Sequence, residues 1–390
     1  MSEQKNELTS IIKALIRESG PITFARFMEL ALYHPEYGYY SSGRARIGKE
    51  GDYYTSPYVH PAFGETLGRF IHRAYEVVDA PDFTVVEMGA GKGFLALDVL
   101  DSLKRTVPNL YDRINYLIVE RNPHSHEEGE EVLQKHLHKI KWIDSYSNLK
   151  PGSISGVFIS NELVDSLPFH RAKFKNGRFF EILVALTEED FLEVLSEPSR
   201  SDLETYFEGY NLGFEEEQEI EINLEAGKWL RNVAYALDGG FIVTVDYGYL
   251  APELFSPARM KGTFRCFYKH TVNENPYINV GNQDITVDVD FSNLIRLGES
   301  LGLDTVKYTT QGQFLIDWGI LDIAERYSAE EADNLSAQRN RMAIKNLILP
   351  ELMGGRFKVL IQGKNLGGGI ETFYPESPFR MSFQKTGEGL

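Results

Sequence analysis

The sequence predicts a doubly wound α/β fold with a mostly parallel sheet. Between Phe83 and about Lys150, short β-branched runs alternate with helical stretches, beginning with a strand over 83–88 and a helix over 94–103. Two further apolar runs, 157–160 and 240–246, have the composition of buried strands. Parallel strands need long crossover connections, so strands separated by helices favour a parallel sheet covered on both faces.

The amino-terminal region predicts two helices followed by a structured loop. Apolar residues at 8, 11, 12, 15 and 16 have helical spacing, and Thr23 is a suitable cap for a second helix. The stretch 37–57 is then rich in glycine and tyrosine. Such a loop can close over a bound ligand, or its aromatic residues can pack the helices onto a core. Both interpretations stay open for its candidate contacts, Tyr39, Tyr40, Tyr54 and Thr55.

Two stretches interrupt the alternation of strands and helices. Asn176-Gly177 lies between strand-like runs, which predicts a hairpin and a small β-rich insertion. The glutamates between 215 and 221 predict a solvated acidic face. The resulting segments are helices and loop over 1–75, first part of the core over 76–168, β-rich insertion for substrate or partner over 169–222, core over 223–249, inserted loop over 250–290, and carboxy-terminal core over 291–390.

Composition and charge exclude several functional classes. The 390 residues carry a net charge of −17, which repels nucleic acid and anionic lipid and suits a cationic partner. One cysteine permits no internal disulfide and no cysteine-rich zinc site, and we expect no metal. No apolar run is long enough to span a membrane, and residues 1–20 resemble neither a signal nor a transit peptide. We therefore expect a cytoplasmic protein.

A glycine motif carries the strongest chemical signal. Glu87 and Met88 end a predicted strand, and Gly89, Gly91 and Gly93 precede a predicted helix. Glycines there let the backbone approach a ligand, and the amides of the helix start point at it. A dinucleotide fingerprint needs a small residue at position 94, which is phenylalanine. The pattern instead resembles the first motif of class I S-adenosylmethionine-dependent methyltransferases, although a tight turn without a ligand would look similar.

Two acidic residues after neighbouring strands are candidate cofactor contacts. Glu120 follows the second strand, where a carboxylate can accept hydrogen bonds from both ribose hydroxyls. Asp144 follows Trp142 and Ile143, where it could contact the adenine amine. A solvated strand end and a surface aspartate remain the alternatives for these two residues.

The segment 161–168 supplies candidate catalytic residues. It follows a buried strand directly and contains Asn161, Glu162 and Asp165. If the segment begins a helical turn, Glu162 and Asp165 share a face. Paired carboxylates suit a guanidinium, since one can hold it with two hydrogen bonds while the other accepts a proton. The alternative is a helix start carrying electrostatically favourable acids.

Together these segments resemble the MidA family of methyltransferases, which is associated with assembly of respiratory complex I. The resemblance covers nearly the whole chain and rests on the segments 37–40, 51–57, 63–65, 87–93, 161–168, 245–248, 281–286, 289–291 and 313–315. It implies a seven-stranded class I fold whose last strand, near 357–363, is antiparallel, and S-adenosylmethionine as cofactor. It also implies methylation of protein arginine, with mitochondrial members acting on a complex I subunit.

The resemblance assigns roles by position. Glu87, Gly89, Gly91, Gly93 and Glu120 become cofactor contacts, and residues 161–165 become the methyl-transfer edge, with Asn161 also near the cofactor. Asp246 and Tyr247 end a later strand at the same edge and become candidate substrate contacts. A homodimer stays open, and so do two alternatives: a non-catalytic assembly factor on the same fold, and a methyltransferase for a small molecule or another side chain.

Overall fold

The computed structural model describes residues 4–42, 56–330, 334–367 and 373–375. Its helices, in chain order, are α1 (Gln4–Ser19), α2 (Phe24–Tyr33), α3 (Ser56–Val59), α4 (Ala62–Val78), α5 (Phe94–Thr106), α6 (Pro108–Arg113), α7 (Pro123–Val132), α8 (Ser201–Thr205), α9 (Leu224–Ala236), α10 (Ala251–Leu254), α11 (Phe291–Ser300), α12 (Gln311–Asp317), α13 (Ile320–Glu330), α14 (Asn334–Ile348) and α15 (Met353–Arg356). Short 3₁₀ turns cover Gln134–Lys139, Tyr146–Asn148 and Val164–Ser166.

The strands, in chain order, are β1 (Ile22–Thr23), β2 (Phe83–Met88), β3 (Asn115–Val119), β4 (Ile140–Ile143), β5 (Ile154–Asn161), β6 (His170–Lys175), β7 (Arg178–Leu186), β8 (Phe191–Ser196), β9 (Glu219–Ile222), β10 (Leu237–Tyr249), β11 (Arg265–Tyr268), β12 (Thr271–Asn273), β13 (Asp284–Thr286), β14 (Val289–Asp290), β15 (Asp304–Thr310) and β16 (Phe357–Lys364). Contacts divide the chain into two compact units. The sheet unit comprises the described residues of 55–162, 232–247 and 298–390, and the insert unit those of 1–54, 163–231 and 248–297.

The sheet unit contains a seven-stranded sheet in the order β15-β16-β10-β5-β2-β3-β4. The strands from β10 to β4 pair in parallel, and β16 pairs antiparallel with both β10 and β15. Phe241, Val243 and Val85 belong to a core in which helices α4 and α5 cover the strands. The predicted α/β class and the antiparallel strand near residues 357–363 are confirmed.

The insert unit contains a five-stranded antiparallel sheet and a three-stranded one. The larger sheet has the order β1-β7-β6-β9 with β8 on β7, and the smaller has the order β12-β11-β13. Asn176 and Gly177 connect β6 to β7, both with left-handed backbone angles, φ 52° and 77°. That geometry is a two-residue hairpin turn, and it confirms the β-rich insertion. The division into two units does not test the six segments that the sequence predicts, and they remain a proposal.

The amino-terminal helices pack inside the insert unit. The side chain of Thr23 accepts a hydrogen bond from the Arg26 amide at 3.1 Å, which caps α2 as predicted. Phe24 and Phe27 are fully buried in an aromatic core with Phe169. These contacts confirm the predicted amino-terminal helical region.

The acidic run differs from its predicted solvated face. Glu219 and Glu221 lie on β9, where Glu219 is only 8% exposed and pairs with Arg171 at 3.0 Å. Glu221 accepts hydrogen bonds from the amides of Thr263 and Phe264, and burial raises its pKa to about 7. Ile220 and Ile222, which alternate with the two glutamates along β9, are buried as well, so both faces of this strand are covered. The prediction of a wholly solvated face is wrong for these two residues.

Candidate functional site

The glycine turn joins β2 to α5 at the carboxyl end of the sheet. Gly89, Gly91 and Gly93 all have left-handed backbone angles, with φ of 72°, 53° and 78°, which residues with a Cβ rarely adopt. A Cβ on Gly93 would lie 2.6 Å from Leu133 Cδ1, so this glycine is required for packing. A Cβ on Gly91 would meet no heavy atom of the described residues within 4 Å. The turn therefore leaves open space beside Gly91, at the sheet edge where ligands of such folds bind.

Glu120 holds the turn from the neighbouring strand. Strands β2 and β3 are paired with Met88 opposite Val119, which brings the residue after β3 beside the turn. One carboxylate oxygen of Glu120 accepts the Gly91 amide at 3.0 Å, and the other accepts the Asn122 amide at 2.9 Å. Burial is the largest influence on its pKa and raises it. The structure thus brings Glu120 and Gly91 together, and the carboxylate, which the Arg121 amide also stabilises, keeps acceptor capacity for a ribose hydroxyl.

Glu87 and Asp144 differ from Glu120 in burial and in hydrogen-bond partners. Glu87 is 3% exposed and accepts a hydrogen bond from the Tyr116 hydroxyl at 2.6 Å, and burial raises its pKa to about 7. Its carboxyl group is therefore positioned inside the unit, beneath the glycine turn. Asp144 is exposed directly after β4. Their assignment as cofactor contacts stays a prediction.

Glu162 follows β5 in a strained backbone conformation. Its φ is 53°, a left-handed value that costs a residue with a side chain on the order of 1 kcal/mol and is common at functional sites. Carboxylate oxygen Oε1 accepts hydrogen bonds from Asn161 Nδ2 at 3.1 Å and from the Ser56 amide at 3.2 Å. Only 164–166 is helical in this segment, so the condition under which Glu162 and Asp165 would share a helical face is not met. The left-handed residue ends the strand before any helix begins.

Ser56 and Tyr58 are residues that the sequence analysis missed. The Ser56 hydroxyl donates to Gln311 Oε1 at 2.9 Å, which fixes the amide that Glu162 uses. Tyr58 packs edge-to-face against Phe94, the first residue of α5, with ring centroids 4.8 Å apart. Ser56 lay inside the segment 51–57 of the family resemblance, but nothing in its composition singled it out.

Several buried polar atoms near these strand ends suit a polar ligand. Among the described residues, Ser160 Oγ, Asn161 Oδ1, Thr244 Oγ1 and Tyr58 Oη are buried without a hydrogen-bond partner. Ser160 is the register partner of both Met88, next to the glycine turn, and Thr244. Buried polar groups normally have partners. A ligand carrying hydroxyl, amino and carboxylate groups fits these atoms together with Glu120 and the open space at Gly91.

The remaining candidates in the sheet unit are buried. Asp246 is fully buried and accepts the amide of Tyr247 at 2.9 Å. Tyr247 is 7% exposed and packs edge-to-face against Phe357 at 5.6 Å. Both belong to the interior of the unit, and their assignment as substrate contacts stays a prediction.

The insert unit holds Asp165 and the two tyrosines. Asp165 is 4% exposed, and its carbonyl oxygen accepts the Val287 amide at 3.0 Å. Tyr39 is buried in the core, whereas the Tyr40 hydroxyl donates to Asp284 Oδ1 at 2.7 Å. The predicted contacts Tyr54 and Thr55 lie outside the described residues. For Tyr39, the structure therefore agrees with the interpretation in which the aromatic residues of the loop pack against the core.

The sequence matches a family described as "Putative S-adenosyl-L-methionine-dependent methyltransferase" over residues 66–309, more than half of the chain. Mouse and human proteins named "Protein arginine methyltransferase NDUFAF7, mitochondrial" are each 27% identical to the chain, covering 94% of it and 88% and 86% of their own lengths. A crystal structure of a Burkholderia thailandensis protein bound to S-adenosyl-homocysteine is 28% identical, with a TM-score of 0.84 and 96% of each chain covered.

The relatives correct one expectation about location. Those from mouse, human, cattle and fruit fly carry names that place them in mitochondria, which contradicts the cytoplasmic location expected from the sequence. The amino-terminal composition carried too little information for that conclusion. Among the helices of the described residues, none is both long and apolar enough to cross a bilayer.

The cofactor follows from the family and the site together. A bound product of S-adenosylmethionine in a structure with this fold agrees with the glycine turn, the Glu120 carboxylate and the open space at Gly91. The chain belongs to the family of S-adenosylmethionine-dependent methyltransferases.

Proposed function

We propose that the protein transfers a methyl group from S-adenosylmethionine to an arginine side chain of a protein. The carboxylate of Glu162 carries the proposal, because two hydrogen bonds and a strained backbone hold it at the end of β5. Relatives covering most of the chain are named protein arginine methyltransferases, which supports the same acceptor. A subunit of respiratory complex I is the first substrate to test, since the family resemblance implies it.

The cofactor supplies a methyl group bonded to a positively charged sulfur. The turn at Gly91 and the Glu120 carboxylate would hold its nucleoside part. The polar atoms of Ser160, Asn161 and Tyr58 are the candidates for its amino acid part. Arginine remains protonated in proteins and is a poor nucleophile, so the protein must orient its guanidinium and accept a proton.

Glu162 is suited to that task. A carboxylate can accept two hydrogen bonds from a guanidinium, which draws the positive charge away from the attacking nitrogen. The contacts from Ser56 and Asn161 fix Oε1, so the carboxylate needs little reorganisation when the substrate binds. The proposal also assigns Asp165 and Asn161 to the acceptor site. The net charge of −17 favours a cationic acceptor.

Product analysis tests the acceptor. The purified protein is incubated with deuterium-labelled S-adenosylmethionine and with complex I subunits, and mass spectrometry locates the label. We expect labelled arginine, and peptides with lysine in place of that arginine should stay unlabelled. Label on lysine or on a small molecule would reject arginine as the acceptor. Cofactor binding without turnover on any acceptor would favour the non-catalytic assembly factor.

A matched glycine pair tests the cofactor site. Gly91→Val places a side chain in the open space at the turn, and we expect it to abolish binding of S-adenosyl-homocysteine in calorimetry. Gly302→Val is the control, because Gly302 has a φ of 78°, lies in the same unit and also has no heavy atom within 4 Å of a Cβ. Both variants therefore carry a similar backbone strain, to be compared by circular dichroism. Unchanged affinity in Gly91→Val would remove the cofactor from this turn.

A further inference from the structure

A cavity away from the glycine turn lies in the sheet unit, lined by helices α4, α5 and α13. Its volume is about 400 Å³, and three of its lining residues are arginines: Arg69 on α4, Arg105 on α5 and Arg326 on α13. None of the residues of the glycine turn lines it. Cavities of a few hundred cubic ångströms are the size that small ligands occupy. The proposed methyl transfer assigns no role to these three side chains.

One buried carboxylate organises two of the arginines. Glu65 Oε2 accepts hydrogen bonds from Arg105 Nη2 and from Arg326 Nη2, each at 2.6 Å. Its other oxygen accepts the Tyr327 hydroxyl at 2.5 Å, and the Glu65 side chain is only 5% exposed. Glu65 thus fixes both guanidiniums at the wall of the cavity. Because the two side chains are already held in place, less side-chain entropy is lost when a ligand binds.

The guanidiniums keep donors that the protein does not use. A guanidinium has five N–H donors, and Glu65 is the only hydrogen-bonding partner of Arg105 among the described residues. Arg69 donates through Nη1 alone, to the carbonyls of Trp318 and Gly319 and to Asp322. Arg105 is 44% exposed and Arg69 41%, so their remaining donors are accessible to a ligand.

The cavity is locally positive in a strongly acidic chain. Three arginines face two lining carboxylates, Glu65 and Asp322, and a third carboxylate outside the lining, that of Glu330, pairs with Arg326 at 2.9 Å. The side chains of Asp322 and Glu330 are 76% and 58% exposed, where water screens their charges. The last turn of α5 carries Lys104 and Arg105, which offset the partial negative charge of that helix end. With a net charge of −17 for the whole chain, a positive concave surface stands out as a place for an anion.

We propose that this cavity binds a small phosphate-bearing anion. Planar guanidinium groups match the oxygens of phosphate with paired hydrogen bonds, and three of them surround one space here. The phosphate can belong to inorganic phosphate or pyrophosphate, or to a phosphate ester of a metabolite. The three guanidiniums contact this anion through the donors that Glu65, Asp322, Glu330 and the carbonyls of Trp318 and Gly319 leave unused.

Calorimetry with sodium pyrophosphate tests the proposal. The full-length protein is first saturated with S-adenosyl-homocysteine, which fills the cofactor site, and ionic strength is held constant. We expect binding to the wild type, at least tenfold weaker affinity in Arg105→Gln and in Arg69→Gln, and partial recovery in Arg105→Lys. Arg73→Gln is the matched control, because Arg73 lies on α4, pairs with Glu76 and does not line the cavity. Its affinity should stay within twofold of the wild type.

The outcomes separate the site from its alternatives. Equal affinity in the wild type and in both cavity variants would overturn the proposal, as would absence of binding to the wild type. Binding of a glutamate-rich peptide without binding of pyrophosphate would overturn it too. Adenosine monophosphate and inorganic phosphate, titrated in the same way, distinguish an ester from a free anion. No step of this experiment measures methyl transfer, so its failure leaves the proposed function untouched.

Discussion

Two regions of the sheet edge present carboxylates by different means. At the glycine turn, Glu120 follows β3 and accepts two backbone amides, with the left-handed angles confined to glycines. After β5, Glu162 itself takes the left-handed conformation and relies on Ser56 and Asn161. The first arrangement costs little strain and suits a binding surface, whereas the second stores strain to aim one side chain. With the roles proposed above, cofactor binding and acceptor activation would have separate structural supports.

The largest effect is expected from a substitution that disrupts the arrangement at Glu162 and leaves the glycine turn and Glu120 unchanged. Glu162→Gln keeps the shape of the side chain but removes its charge, so the rate of methyl transfer should fall by about a hundredfold or more, as is usual for loss of a general base. Affinity for S-adenosyl-homocysteine should change less than twofold. Single-turnover kinetics and calorimetry measure the two quantities. Glu76→Gln, at an exposed position on α4, is the control. Normal turnover in Glu162→Gln would show that Glu162 does not activate the acceptor.

The next effect concerns Glu87, the carboxyl group beneath the glycine turn. Burial raises its pKa from 4.5 to about 7, so the folded protein holds a proton that the unfolded chain releases between these pH values. The free energy of unfolding should therefore fall as pH rises from about 4.5 to about 7, by up to about 3 kcal/mol from this group. Urea denaturation at several pH values should show a flatter profile for Glu87→Gln.

Other buried acids influence the same profile and set its control. Burial also raises the pKa of Asp290 to about 6 and that of Asp98 to about 8. The test is therefore the difference between Glu87→Gln and the wild type, with Glu76→Gln as the exposed comparison. Identical slopes in all three proteins would show that Glu87 titrates as it does in an unfolded chain.

The smallest effect is expected from a substitution that weakens the arrangement of Glu120 beside the glycine turn. Glu120→Gln keeps one acceptor oxygen for a ribose hydroxyl and loses the charge, so affinity for S-adenosyl-homocysteine should fall about tenfold. The rate at saturating cofactor should change little, because Glu162 is untouched. Calorimetry and initial rates at varied cofactor concentration separate the two. A rate loss as large as that of Glu162→Gln would mean that the two carboxylates act as one group.

The sequence predicted features whose signal is local in the chain. The glycine turn and the Asn176-Gly177 hairpin depend on backbone angles that glycine favours, so their residues can be recognised directly. The left-handed angle at Glu162 carries no such residue signal, and the helical turn that would have paired it with Asp165 does not include it. The arginine cavity joins Glu65 to Arg326 across 261 positions, and no local pattern reports such a contact.

The place of β16 has a consequence for how the protein is made. Strand β16 lies between β10 and β15, so one edge of β10 and one edge of β15 stay unpaired until residues 357–364 have been synthesised. At a ribosome rate of about 5–20 residues per second, more than a hundred residues must follow β10 before β16 can complete the sheet. Exposed edges of this kind invite pairing with other chains. Termination of synthesis before Phe357 should therefore yield aggregates, and chaperones that shield strand edges should matter most until residue 364 has been synthesised.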